Sequence, residues 1–217
     1  MSIFTNLSDL QKATEVKNVG SGDLVNRFFT VKDGEKFLLR FRQELVQDSP
    51  GFNEEVGAAQ VIGVHANPAD FRKSAACTAD DEKYNYKCWA CEQVGKDNGW
   101  RKKQHLVINV AIFDPDEKVW NPRVLDQKFA SAHVGQQVVD MAVEYGTLLT
   151  HDYKISRKGS GQKTQYNLLP VGVKDEDPAI SELPFHDLSN MYRSYSYAEQ
   201  AGFYLAEEDT GSTSGWS

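Results

Sequence analysis

The chain has 217 residues, 40% hydrophobic and 25% charged, the composition of a globular protein rather than a disordered one. No apolar run approaches the ~18–20 residues that cross a bilayer, and the start, Met1-Ser2-Ile3-Phe4-Thr5, lacks the basic-then-apolar order of a secretory signal. Three cysteines cannot complete a disulfide framework, so an intracellular protein with reduced thiols is expected. The net charge of −7 is uneven: residues 175–217 carry −8, and residues 101–174 hold eleven Lys/Arg against seven Asp/Glu. An acidic C-terminal segment on a more basic body is an asymmetry of nucleic-acid proteins, and equally of a solvated tail.

Residues 5–18 suit a short helix that ends before Gly20 and Gly22. Val25–Val31 and Lys36–Leu45 read as strands around an Asp33-Gly34 turn. In the second, period two puts Phe37, Leu39 and Phe41 on one face and Leu38, Arg40 and Arg42 on the other. Gly57–His65 reads as a third strand. Residues 66–104 are polar, turn-rich and poor in aliphatic side chains. A structureless loop of about 40 residues is unusual in a compact domain, so something other than an apolar core is expected to organise it. Leu106–Phe113 and Lys118–Leu125 are strands around Asp114-Pro115-Asp116. The helix pattern is clearest over 128–146, with Val134, Val138, Met141 and Tyr145 on one face and Gly146 at the end. Asp152–Arg157 and Thr164–Leu169 form a hairpin, Pro170–Pro184 a linker and 187–206 a helix, with 210–217 expected to be disordered.

Cys88-Trp89-Ala90-Cys91 lets two thiolates meet one tetrahedral ion. Cys77 lies in the same loop and His65 ends the strand that leads into it. The spacing H-x11-C-x10-C-x2-C is a full Cys3His set, which predicts one structural zinc ion held by His65, Cys77, Cys88 and Cys91. His105 is the alternative fourth ligand. Zinc deaminases instead show H-x-E and P-C-x-x-C. Here Asn67 stands at the glutamate position, Lys87 at the proline position, and Cys77 fills the water site, so a zinc hydrolase or deaminase is disfavoured and no enzyme is expected.

Cations and aromatics interleave around this loop, from Phe71-Arg72-Lys73 to Trp100-Arg101-Lys102-Lys103. Proteins that bind single strands use such mixtures, with cations following phosphates and aromatic faces stacking on bases. The expected contact pool is Arg40, Arg42, Arg72, Lys73, Tyr84, Tyr86, Trp89, Trp100, Arg101, Lys102, Lys103, His105, Arg157 and Lys158. The strand count suits a mainly β, α+β chain: a five-stranded OB-fold barrel with appended helices and an inserted zinc-binding loop subdomain.

The Cys3His pattern ending in Cys88-Trp89-Ala90-Cys91 resembles the zinc subdomain of the T-even phage helix-destabilising proteins. The following order agrees: Arg101-Lys102-Lys103, the strand Leu106–Phe113, Asp114-Pro115, the strand with Trp120, then a helix. Ile155–Gly161 with Thr164-Gln165-Tyr166 is similar to a hairpin of that group. The resemblance spans roughly residues 30–170. It implies single-stranded-DNA binding in phage DNA replication, recombination and repair, in the cytoplasm of the infected bacterial host. It also implies replication partners recruited through the acidic C-terminal tail. The family's N-terminal arm is basic, whereas residues 1–20 here balance Lys12 and Lys17 against Asp9 and Glu15. An RNA-binding or transcription-regulating zinc protein is the alternative, separable by a 2′-OH preference. The expected organisation is an arm over 1–22, a core over 23–174 with the zinc subdomain at about 65–104, a linker and helix over 175–206, and an acidic tail over 207–217.

Overall fold

The computed structural model describes residues 28–129, 133–160, 163–173 and 177–206. The readings for 5–18 and 207–217 lie outside these residues. Among these residues eight strands form one sheet: β1 (Phe28–Phe29), β2 (Lys36–Phe41), β3 (Gln60–Asn67), β4 (Asp70–Ala76), β5 (Lys103–Asp114), β6 (Val119–Lys128), β7 (His151–Lys158) and β8 (Gln165–Val173). Within the same described residues four α-helices accompany them: α1 (Trp89–Gln93), α2 (Val134–Tyr145), α3 (Pro178–Ser181) and α4 (Tyr197–Leu205). No helix among the described residues is long and apolar enough to cross a membrane.

Strand β5 is the axis. One edge pairs antiparallel with β6 along its length, from His105↔Lys128 to Asp114↔Val119. The other edge is shared. Its N-terminal part pairs with β3, Val107 facing Gln60, and its C-terminal part pairs with β2, Ile112 facing Leu39. Beyond β2 follow β7 and β8, and β1 adds a parallel pair to β6. Strand β4 extends β3 on its free side. Among the described residues no ladder joins β8 to β1, so the sheet is open. The expected mixed, mainly β class holds. The ladders form an open eight-stranded sheet where five strands closed into a barrel were expected.

The apolar run of β5, interrupted only by the buried Asn109, follows from burial on both faces. Leu106, Ile108, Val110 and Ile112 join Leu39, Phe41, Tyr153, Ile155, Val134 and Val138 in the main core. Val107, on the other face, packs with Val124, Leu188 and Met191. Period two in β2 also holds, since Phe37, Leu39 and Phe41 all face the main core.

Several boundaries moved for physical reasons. The first strand is short: within 25–31, only Phe28 and Phe29 pair among the described residues. Strand β2 stops at Phe41, and the chain beyond it turns so that the Glu44 carbonyl accepts from the Ala59 N–H at 2.8 Å. Strand β8 runs through Pro170, expected to open a linker. Pro170 faces Tyr153 at a register shift, where the ladder is already irregular. Helix α2 begins at Val134 and ends as expected on Gly146, at φ 73° with its N–H on the Ala142 carbonyl. The expected helix over 187–206 is two pieces, a 3-10 turn at Leu188–Asn190 and α4.

Helix α4 starts where Ser196 and Glu199 form a reciprocal capping box. The Ser196→Ala variant is expected to lose about 1 kcal/mol of stability in urea unfolding. An unchanged midpoint would mean that packing alone sets the start of α4.

Candidate metal centre

Four donors from four local structures converge. His65 sits in β3, Cys77 follows β4, Cys88 is the N-cap of α1 and Cys91 lies one turn into it. The β3–β4 hairpin brings His65 against the cysteine loop. The Cys77 N–H then donates to the Gly63 carbonyl at 2.7 Å and fixes the first thiol. Gly63 lets the hairpin approach closely: a Cβ there would displace the Lys102 side chain, 2.7 Å away, and would touch the Cys77 Cβ at an ordinary 3.5 Å. The loop enters α1 through Asn85 and Tyr86, at φ 53° and 56°, two successive left-handed residues that turn the chain towards Cys88.

The four donor atoms lie within 4.8 Å of one another. Cys77 Sγ is 3.6 Å from Cys91 Sγ, and Cys91 Sγ is 3.3 Å from His65 Nε2. A tetrahedral ion with metal–sulfur bonds of ~2.3 Å needs edges of ~3.8 Å, so the cluster is close to coordination size. His65 is fully buried, and its Nδ1 donates to the Trp100 carbonyl at 2.6 Å. A carbonyl can only accept, so the Nδ1 proton is fixed and the Nε2 lone pair faces the thiols.

The thiols are already polarised. A hydrogen bond from Cys77 holds the Cys88 thiol far below its ordinary value, and the same bond pushes Cys77 up. Burial raises Cys91. Adjacent thiolates repel, so full ionisation needs a cation between them, which is what a metal supplies. The cluster could hold one metal ion. His105 belongs elsewhere: its Nδ1 is 2.7 Å from Asp126 Oδ1 and 3.1 Å from the Tyr192 hydroxyl, which also donates to Asp126.

The loop is not coreless, contrary to expectation. Ala75, Cys88, Ala90, Trp100 and Tyr204 form a second core, with Trp89 and Phe203 packed on it. Trp89 and Trp100 meet edge-to-face at 5.3 Å, and Trp100 meets Tyr204 likewise at 5.0 Å. Gln200 Oε1 lies 3.4 Å from Cys88 Sγ and accepts from the Ala90 N–H at 3.3 Å, and Gln200 Nε2 donates to Thr78 Oγ1 at 2.8 Å. Tyr204 and Gln200 come from α4, more than 100 residues downstream of the ligands, and no local spacing announces them.

The expected contact pool therefore divides. Trp100 is a core residue of this lobe rather than a free stacking face, and Trp89 is half-buried against it. Arg40 and Arg42 are buried: Arg40 Nε bonds Asp152 at 2.6 Å, and the Arg42 guanidinium donates to the carbonyls of Leu183 and Pro184 at 2.6 and 2.8 Å. His105 is held by Asp126. Lys102 Nζ pairs with Asp80 at 2.8 Å, which raises its pKa, with Cys77 and Cys91 adding to the effect. Lys73 donates to the Ala206 carbonyl. Arg72 pairs with Asp70 at 2.9 Å while its side chain stays 75% exposed.

On the lobe surface Arg72, Tyr86, Arg101 and Lys103 are exposed and Tyr84 is half-buried, with Lys83 Nζ 5.3 Å from its ring. Phe71, outside the expected pool, is 68% exposed, with Lys103 Nζ 5.6 Å from its ring. Its signal in sequence is its place before Arg72-Lys73 in a polar hairpin. Arg157 and Lys158 sit at the far end of the sheet, where Arg157 donates to the Val31 carbonyl at 3.0 Å. Along β5, Lys103 and Ile112 are nine residues apart, about 30 Å at ~3.4 Å per residue, so the two cationic groups are not one patch. Comparison of the chain with protein-family models, curated proteins and solved structures returns no match.

Proposed function

We propose that the chain binds single-stranded DNA with little regard to sequence, using a zinc-organised lobe as its contact surface. The observation that carries the reading is Phe71, 68% exposed with Lys103 Nζ 5.6 Å from its ring and Arg72 next to it in sequence, while Tyr86, 61% exposed, and Arg101 are displayed on the same lobe. An exposed ring paired with cations suits a nucleic-acid strand. Bases of a single strand offer free faces to such rings, and its phosphates suit the cations, whereas a duplex hides the faces.

Zinc is the proposed ion because three thiolates and an imidazole form a borderline-soft tetrahedral set. Such a shell is closed, leaving no position for a reacting water, so the reading assigns the chain no catalytic step. The OB-type component of the proposal is the run β1-β6-β5-β2-β7, five consecutively paired strands that support the lobe. A role in phage DNA replication, recombination and repair within an infected bacterium, with partners drawn to the acidic C-terminal tail over 207–217, rests on the motif resemblance alone.

A competition titration with single-stranded DNA, duplex DNA and RNA at about 50 and 200 mM salt tests this. Preference for single-stranded DNA supports the reading. Equal or tighter RNA binding reassigns the chain to RNA, and duplex preference removes the stacking argument. Phe71→Ala is expected to weaken oligonucleotide binding by about 1–3 kcal/mol with little change in salt slope. Lys103→Glu is expected to flatten that slope by at least ~0.7, the contribution of one single-strand phosphate contact. If both variants bind like the parent, the strand lies elsewhere.

A further inference from the structure

A cavity of about 440 Å3 opens beside the C-terminal end of β2, within the size range of small-ligand sites. Arg40, Arg42, Gln43, Leu149, Ile180 and Phe185 are among the residues that line it. Two independent features make it more than a gap. The first is Arg42, 8% exposed, whose guanidinium touches two carbonyls and lies 4.0 Å from the Phe185 ring centroid. Among the described residues no carboxylate pairs with it, and burial pulls its pKa down. A buried cation without a counter-charge is costly, and a bound anion would offset that.

The second feature is Gln43, 3% exposed. Its Oε1 is occupied, accepting from the Asn109 N–H at 3.0 Å and from Asn109 Nδ2 at 2.6 Å. Its Nε2 has no partner. A buried amide donor left unpaired costs free energy, and such groups are rare in folded proteins. The occupant should therefore bring negative charge and an acceptor. The apolar wall of Leu149, Ile180 and Phe185 adds a third requirement, a flat apolar part.

We propose that this cavity binds a nucleotide, its phosphate facing Arg42 and Gln43 Nε2 and its base lying against Leu149, Ile180 and Phe185. The choice of a nucleotide over other flat organic anions rests on the nucleic-acid reading above. The unit is either free or one residue of a bound strand. In both cases Arg42 acts as a buried phosphate counter-charge, rather than as the exposed groove cation that the period-two pattern suggests.

The test uses the full zinc-loaded chain, titrated calorimetrically with dTMP, dAMP, inorganic phosphate and a ten-residue oligo(dT). Gln43→Glu keeps the acceptor for Asn109 and turns the free donor into a repelling oxygen. Ser181→Trp narrows the cavity and leaves Arg42 and Gln43 untouched, so it reports even if the first variant folds poorly. Each variant is expected to weaken the relevant ligand about tenfold, the scale of one lost charge-assisted hydrogen bond or of a blocked wall. Weakened dTMP binding places a free nucleotide in the cavity; no dTMP binding with weakened oligo(dT) places one unit of a strand there. The inference fails if oligo(dT) and dTMP bind both variants as they bind the parent, if neither binds the parent, or if inorganic phosphate binds as tightly as dTMP. Parent-like binding of both dTMP and oligo(dT) by both variants would sink the cavity and leave the strand-binding reading intact. Loss of dTMP binding in a chain that never bound oligo(dT) would do the reverse.

Discussion

Cys88→Ser is expected to strip the chain of its metal and to unfold the lobe between β3 and β5 while the sheet core survives. Cys88 is buried at the head of α1, with Cys77 and Gln200 against its sulfur. A serine hydroxyl is a poor zinc ligand, and a three-donor shell cannot hold the loop. Structural zinc supplies about 10–16 kcal/mol of apparent binding free energy in small modules, far more than the lobe's small core can replace. The main core, Leu39, Phe41, Ile108, Val110, Tyr153 and their neighbours, contains none of the ligands. Unfolding should therefore split into two transitions, the first coincident with metal release. Because the ligands bind metal only when deprotonated, retention should also fall as pH is lowered. One zinc per chain in the parent and none in the variant, by elemental analysis, checks the first half. A variant that keeps both metal and melting profile would contradict the geometry.

Trp100→Ala is expected to cost about 3–5 kcal/mol, read from denaturant unfolding, because the ring sits in the packed centre of the lobe. It contacts Trp89 and Tyr204 edge-to-face, and its carbonyl orients the fourth ligand through His65 Nδ1. Backbone displacement on emptying that space should loosen the imidazole, so metal affinity should fall with stability. A stacking tryptophan would behave differently, losing oligonucleotide affinity while stability and metal content stay at parent values. That outcome would return Trp100 to the binding surface and displace Phe71 from it.

The candidate donor set is legible because metal-ligand spacing is local: Cys88 and Cys91 are spaced for one ion, and His65 and Cys77 bracket the hairpin beside them. Apolar alternation placed Phe37, Leu39 and Phe41 in the core, and the fold keeps them there. The arginines show where periodicity stops. It put Arg40 and Arg42 on one face, but not that Asp152 and the carbonyls of Leu183 and Pro184 cover that face. Those partners lie more than 100 residues away. The burial of Trp100 is hidden from local pattern for the same reason. Its loop has too few aliphatic residues for a core, and α4 supplies Tyr204 from a distance to complete one. The eight-stranded sheet was hidden by β4, whose Asp70-Phe71-Arg72-Lys73 lacks an apolar alternation and is held by pairing to β3.

In the function proposed above, a bound metal builds the surface that grips a single strand. The most direct measurement is the affinity of one labelled oligo(dT), at fixed salt, for the zinc-loaded chain, the chelated chain and the chelated chain after zinc return. The account predicts that chelation weakens binding at least about tenfold, because Phe71, Tyr86 and Lys103 lose their common frame, and that zinc restores it. Equal affinity in all three states would contradict it.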